Sequence, residues 1–296
     1  MKKMLFFVNP NAGHAEIRGS LLEVIRIFTQ GGYEVTVHTT SGPRDLTAQI
    51  AARGSDYDMI VCTGGDGTLN EAVSGLMTLD DRPPLGYIPG GTVNDVASTL
   101  GLSKNVITAA QDIIHGRPFP LDIGSFGADR WFTYVAAFGL FTDVSYDTPQ
   151  EGKRVLGRLA YLLNGVTSLA NVKPVHVRMT CDGKTSEADV IDGLVLSTTS
   201  VGGVFKAPKN LGISLNDGLS EVVLVRDIKN LGDFNAAATS LLRMEFPEPY
   251  FITAQTDRVS FEFDAPVAWT LDGEYGGDVQ QVDIRNHQRA IDIIVP

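Results

Sequence analysis

Cysteine is scarce in this chain of 296 residues: Cys62 and Cys181 are the only two, far apart and without a CxxC partner. That spacing argues against a disulfide framework and a thiolate metal site, and their apolar surroundings predict two buried thiols. The five histidines, at 14, 38, 115, 176 and 287, are scattered without metal-ligand spacing. No G-x-S-x-G elbow occurs, which argues against triad hydrolysis, and no GxxxxGK(S/T) loop occurs, so a Walker A site is absent. Missing too is any apolar run near the ~18 residues of a membrane span, so contact with lipid has to be made from the surface. Met1-Lys2-Lys3 has the charge of a signal peptide, but the apolar stretch Met4 to Val8 stops at Asn9-Pro10 and reads as a first, buried strand. Positive charge is in deficit: 24 Lys and Arg against 35 Asp and Glu give −11. No excess remains to neutralise a nucleic acid. The expectation is a cytoplasmic protein, at most peripheral on the inner membrane face, with a homodimer left open.

Apolar residues make up 43% of the chain, enough for two moderate cores. From Met4 to about Leu100, short apolar runs alternate with helical spacing. Strands are expected at Met4 to Val8, Tyr33 to His38, Met59 to Cys62 and Leu85 to Ile88. Helices are expected over Ile17, Leu21, Leu22, Ile25 and Phe28, over Asp45 to Ala52, Leu69 to Met77 and Asp95 to Leu100. That β-α-β order predicts a parallel sheet covered by helices. After Asp122 strand-like runs dominate: Trp131 to Ala137, Val175 to Cys181, Val190 to Ser197, Leu219 to Val225, Val259 to Phe263 and Val279 to Ile284. Asp182-Gly183 and Asp272-Gly273 suit tight hairpins between them. The reading is an α/β domain over 1–122 and a mainly β domain over 123–296, a sandwich or flattened barrel. The last strand, Ala290 to Val295, is free to return to the first domain. Leu156, Leu159, Leu163, Val166 and Ala170 mark a helical insertion.

Chemistry concentrates in Gly64-Gly65-Asp66-Gly67-Thr68-Leu69-Asn70-Glu71, between a buried strand and an amphipathic helix. Glycines admit an anion to backbone N–H groups, the helix N-terminus adds donors, and Thr68 with Glu71 has capping-box spacing. An acid beside phosphates calls for a divalent cation, so Asp66 suggests Mg²⁺. Alone, such a segment is as readily an ordinary tight turn. Asn9-Pro10-Asn11-Ala12-Gly13 and Pro89-Gly90-Gly91-Thr92-Val93-Asn94-Asp95 also follow strands, however, and loops at the carboxyl ends of a parallel sheet share one edge. Together they predict a nucleotide site.

These segments, with Ala207-Pro208, Asp217-Gly218-Leu219 and Leu271-Asp272-Gly273-Glu274, resemble the bacterial diacylglycerol kinase catalytic-domain family. These are soluble lipid kinases related to sphingosine and ceramide kinases and, more distantly, to NAD kinase. Val93 stands where that family usually has a smaller residue. The resemblance implies an NAD-kinase-like, ATP-binding first domain, a β second domain and an active site in the cleft between them. It implies that Asn9, Pro10, Asn11, Ala12, Gly13, Thr40, Gly65, Asp66, Gly67, Thr68, Leu69, Asn70, Glu71, Thr92 and Asn94 surround ATP, with Asp66 near the nucleotide's Mg²⁺. Taken alone, Ser214 to Leu219 reads first as an exposed turn before a strand; the resemblance instead implies a structural Mg²⁺ at Asp217 with backbone carbonyls near Ser214 and Leu219, and Asp122 would couple that site to the cleft. Glu274, with Asp272 as its rival, would be the general base for the acceptor hydroxyl.

On the lipid side, Lys153, Arg154 and Arg158 lead into the helical insertion, and Lys206 and Lys209 either extend that basic face or contact phosphate. A solvated helix end and a membrane-docking face fit equally. The expected reaction is phosphorylation of diacylglycerol. A sphingoid base, another glycerolipid, a polyprenol or NAD are alternative acceptors, and a catalytically weak nucleotide-sensing protein is the alternative of another class.

Overall fold

The computed structural model describes residues 1–10, 16–92, 94–139, 173–197, 200–201, 205–206, 214–243 and 245–296. The chain divides into two units, Met1–Ile123 with Arg289–Pro296, and Gly124–Gln288.

In the first unit, strands β1 (Lys2–Val8), β2 (Tyr33–Thr39), β3 (Met59–Gly64) and β4 (Leu85–Pro89) pair in parallel in the order β2-β1-β3-β4. Between and after them come α1 (Glu16–Gln30), α2 (Asp45–Arg53), α3 (Asp66–Leu76), α4 (Asp95–Leu100) and α5 (Val106–His115). Strands covered on both faces carry continuous rather than alternating apolar runs, and Met4 to Val8 are all buried. Met4, Phe6 and Val8 share one core with Val24 and Phe28 of α1 and Ala109, Ala110 and Ile113 of α5. Phe6 meets Phe28 edge-on at 5.4 Å. Helices α2 and α3 pack closely at Gly75, where an added Cβ would lie 2.7 Å from the Cβ of Ile50. Leu22, expected on the buried face of α1, is 84% exposed, because Val24 supplies the inward position in that turn. Helix α5 was not anticipated, although Asn105 caps it by accepting the Thr108 N–H.

The second unit is mainly β: β5 (Arg117–Phe126), which begins in the first unit, β6 (Arg130–Phe132), β7 (Val135–Gly139), β8 (Val175–Cys181) and β9 (Lys184–Leu196). After a short β10–β11 pair (Ser200–Val201 and Phe205–Lys206) follow β12 (Ser220–Arg226), α6 (Leu231–Leu242), β13 (Phe251–Thr256), β14 (Arg258–Leu271) and β15 (Glu274–Val295). The long strands β9 and β14 each pair with β8 along one part and β7 along another, so β8-β9-β7-β14 return on themselves. Trp269 is central to the core, with Phe138 at 4.7 Å, Phe126 at 5.1 Å and Phe261 at 5.5 Å. Offset and edge contacts of this kind add to simple area burial.

Both expected hairpins form. Asp182-Gly183 joins Cys181 to its partner Lys184 and Asp272-Gly273 joins Leu271 to Glu274. All four turn residues have positive φ, 49° and 73° in the first and 50° and 82° in the second, as a two-residue I′ turn requires. The last part of β15 pairs in parallel with β4 inside the first unit, Ile293 opposite Leu85. Two further expectations are corrected here. The run Trp131 to Ala137 is split into β6 and β7 at Thr133-Tyr134, and Cys181 is only partly buried whereas Cys62 is fully buried. Burial pushes the Cys62 thiol far above its ordinary range. The insertion around Leu156 lies outside the described residues, as do Lys153, Arg154, Arg158, Ala207, Pro208 and Lys209. No helix among the described residues is long and apolar enough to cross a membrane.

Candidate active site

Parallel register sets the geometry of the first unit. Val8 lies opposite Thr39 and Thr63, and Gly64 opposite Pro89, so the four strands end at one level and their loops leave one edge. Ligands of open α/β sheets bind there. The loops are tied together: Asn9 Nδ2 donates to Thr68 Oγ1 at 3.3 Å, the Thr40 N–H to the Val8 carbonyl at 3.0 Å, and the Gly90 N–H to the Gly64 carbonyl at 2.7 Å. The Ser41 N–H and hydroxyl both donate to Asp45 Oδ2, with His38 Nε2 at 3.0 Å. The Ser41 backbone and then His38 hold the Asp45 carboxyl below its ordinary range.

The two glycine loops touch backbone to backbone. A Cβ on Gly91 would lie 2.6 Å from the Gly65 Cα and 2.7 Å from Asn94 Oδ1, and main chain cannot swing aside as a side chain can. Gly91→Ala is therefore expected to cost ~1–3 kcal/mol, the usual penalty of overpacking, and to weaken nucleotide binding. Thermal melting and calorimetry check it, and unchanged values for both would show that the loops are not in register as described.

Asn94 organises this contact. It is buried at 2% exposure and left-handed at φ 55°, a conformation asparagine tolerates better than most residues. Its Oδ1 accepts the Gly91 N–H at 3.0 Å, its Nδ2 donates to the Gly91 carbonyl at 2.7 Å, and its N–H donates to Asp66 Oδ2 at 2.9 Å. Asp66 opens α3, where the helix end favours anions. The expected capping box is not formed. Helix α3 starts at Asp66 with Gly65 as its cap, so Thr68 is already inside. The Glu71 side chain instead accepts the Arg44 N–H at 3.0 Å.

Of the other candidate residues, Leu69 turns its side chain into the core, fully buried, and offers the site backbone only. Gly67 and Asn70 are partly exposed, while Thr92 and Pro10 are exposed. Asn11, Ala12 and Gly13 lie outside the described residues, as does Val93.

In the second unit Asp272 and Glu274 differ sharply. Asp272 is 5% exposed. Its Oδ2 accepts the Thr133 N–H at 2.7 Å and hydroxyl at 2.8 Å, and its Oδ1 the N–H groups of Tyr134 at 2.9 Å and Val135 at 3.1 Å. This carboxylate gathers the main-chain N–H groups at the junction of β6 and β7. It also explains the split strand, whose N–H groups are diverted from the ladder. Glu274, two residues on, is exposed. Sequence reasoning did not single out Thr133. It likewise read Tyr87 only as strand interior, although a hydroxyl on a fully buried strand signals a polar partner.

At Asp217 the chain makes a turn. Asp217 is exposed and its Oδ1 accepts the Leu219 N–H at 3.0 Å, while the Ser214 hydroxyl donates to Asn216 Oδ1 at 3.0 Å. The Leu219 carbonyl accepts Asn286 Nδ2 at 2.8 Å. Among the described residues no group of three or more His, Cys, Asp or Glu is arranged to hold a metal ion. Beside this turn Glu221 is pushed up to about 7, chiefly by burial, with Asp217 adding to it and Gln255 opposing. A carboxyl raised on folding favours its protonated form, so stability is lost as pH rises from the unfolded value of about 4.3 through about 7. Glu221→Gln is expected to melt higher than the parent at pH 8 and alike at pH 4. Parallel melting curves at both values would refute it.

Three comparisons bear on this arrangement. Residues 3–126 match the diacylglycerol kinase catalytic domain. Over its full length the chain is 37% identical to the diacylglycerol kinase of Bacillus subtilis (strain 168), covering 97% of it, and 30% identical to that of Staphylococcus aureus (strain MRSA252), covering 93%. A crystal structure from Bacillus anthracis str. Sterne superposes with a TM-score of 0.85 at 26% identity, over 100% of this chain and 97% of that one. The glycine loops meeting at one sheet edge thus occur in a sequence aligned from end to end with these kinases, and the chain belongs to the diacylglycerol kinase catalytic-domain family.

Proposed function

We propose that the chain is an ATP-dependent lipid kinase that transfers the γ-phosphate to a hydroxyl of diacylglycerol, giving phosphatidic acid. The observation that carries this reading is the contact of two glycine loops, with Asn9 and Thr40 beside them, at the carboxyl edge of the parallel sheet. In this reading the first unit is an NAD-kinase-like nucleotide layer. Backbone N–H groups of the Gly65 to Leu69 turn bind phosphate oxygens, as helix N-termini do. The donor set suits Mg²⁺, a hard cation that keeps most of its waters and takes one or two carboxylates. Asp66 would hold it, and when bound it neutralises charge on the transferred phosphoryl group. Asp217, with the carbonyls of Ser214 and Leu219, offers an all-oxygen set for a second, structural Mg²⁺.

Glu274 accepts the proton of the acceptor hydroxyl. Its exposure leaves a carboxylate open to a substrate, whereas the oxygens of Asp272 already accept four hydrogen bonds. The acceptor is reached at a membrane surface from the cytoplasmic side, by peripheral contact, and no nucleic acid is bound. The test is transfer of labelled γ-phosphate from Mg·ATP to diacylglycerol, ceramide, sphingosine, a polyprenol and NAD. Labelled phosphatidic acid is the expected product. Label in another acceptor would change the substrate, and ATP binding without transfer would favour a nucleotide-sensing protein.

A further inference from the structure

A buried phenol hydroxyl bridges the two glycine loops. Tyr87 sits on β4 at 2% exposure. Its oxygen is 3.0 Å from the Gly64 carbonyl and 3.1 Å from Asn94 Oδ1. A phenol has a single proton to donate, so one donor is shared between acceptors on two different loops. Burial first, then the Asp66 carboxylate and Cys62, push this hydroxyl well above its ordinary range.

Each acceptor also has a second donor. The Gly64 carbonyl takes the Gly90 N–H at 2.7 Å, and Asn94 Oδ1 takes the Gly91 N–H at 3.0 Å. Removing the hydroxyl therefore orphans neither, and the costly case of an unpaired buried polar group does not arise. What disappears is the link between the Asn94 side chain and the end of β3. Asn94 in turn directs its N–H at Asp66 Oδ2.

We propose that Tyr87 is a positioning residue of the nucleotide site: its hydroxyl fixes Asn94 against Gly64, and through the Asn94 N–H sets where the Asp66 carboxylate points. The proposal rests on the reading of these loops as the Mg·ATP site. It gives a residue in the strand, outside the loop motifs, control over the donor side of the reaction.

The test is Tyr87→Phe. Mg·ATP binding is measured by calorimetry without lipid, and steady-state kinetics on vesicles of phosphatidylglycerol and diacylglycerol. The Kd and KM for Mg·ATP are expected to rise about three- to tenfold, the net worth of one hydrogen bond. The Mg²⁺ needed for half-maximal nucleotide binding rises with them, while the KM for diacylglycerol stays unchanged and the melting temperature falls by only a few degrees, as loss of about one net hydrogen bond does. Tyr87→Leu, which also empties the ring volume, is expected to weaken Mg·ATP at least as much and to melt lower. A Tyr87→Phe protein with the parent's Kd for Mg·ATP overturns the proposal. So does one whose melting temperature and both KM values worsen together, since that is a purely structural role. If the parent itself binds no Mg·ATP, the reading of the loops falls and takes the proposal with it; parent binding with an unaltered variant removes the proposal alone.

Discussion

Glu274→Gln is expected to lower phosphoryl transfer by about 10²–10⁴-fold, the usual worth of a positioned general base, while melting temperature and Mg·ATP binding hold. Asp272→Asn is expected to fail differently. Each Asp272 oxygen accepts two hydrogen bonds, from Thr133 and from Tyr134 with Val135. An amide in that place must turn an NH₂ group toward N–H donors. Breaking such a buried set costs ~1–3 kcal/mol, which in a protein of this size lowers the melting temperature by about 2–4 °C per kcal/mol. Activity falls with it, because the hairpin that carries Glu274 is no longer anchored behind β6 and β7. The decisive comparison is melting temperature against transfer rate for the two variants. An Asp272→Asn protein that melts like the parent yet transfers nothing would shift the proton-accepting role to Asp272.

Asp66→Asn should reduce kcat/KM by about 10²–10³-fold, as loss of one preorganised electrostatic group does. The substitution keeps shape and an oxygen for the Asn94 N–H, which lies 2.9 Å from Oδ2, and removes only charge. Folding is therefore expected to survive. If Asp66 holds Mg²⁺ as proposed, the loss is accompanied by a higher Mg²⁺ requirement, since the variant offers the cation no carboxylate at this position. Transfer rates across a Mg²⁺ titration measure it. A variant within tenfold of the parent at every Mg²⁺ concentration would take Asp66 out of the metal's surroundings.

The parts of the fold legible in the sequence are those decided locally. The strand-helix rhythm of the first unit shows because continuous apolar runs and 3.6-residue spacing are properties of adjacent residues. Asp182-Gly183 and Asp272-Gly273 show because few dipeptides tolerate two positive φ angles in succession. What stayed hidden was decided at a distance. Nothing near Thr133 announces a break between β6 and β7; the cause is Asp272, 139 residues later. Thr68 and Glu71 have the spacing of a capping box, but α3 begins at Asp66 and Glu71 is claimed by the Arg44 backbone. The polar run Arg285-Asn286-His287-Gln288-Arg289 does not look like strand. Neighbouring segments hold it in place within β15: Asn286 Nδ2 donates to the Leu219 carbonyl, and the N–H of Arg289, which is left-handed at φ 52°, donates to Asp122 Oδ1. In the site, the loop glycines announce themselves by composition, whereas Tyr87 is one more large residue in a buried strand until its hydroxyl is seen beside Asn94.

The return of β15 to the first unit has a consequence for synthesis on the ribosome. Ile293 pairs with Leu85, Arg82 Nη1 donates to the Ala290 carbonyl at 3.0 Å, and a Cβ on Gly116 would lie 2.2 Å from the Val295 carbonyl oxygen. The strand that covers β4 is thus translated only after all of residues 124–288. Until then a nascent first unit exposes the unpaired edge of β4, an invitation to pairing with other chains. Domains often fold in the order in which they emerge; here the first unit is started first and finished last, and the second unit has every opportunity to fold before it.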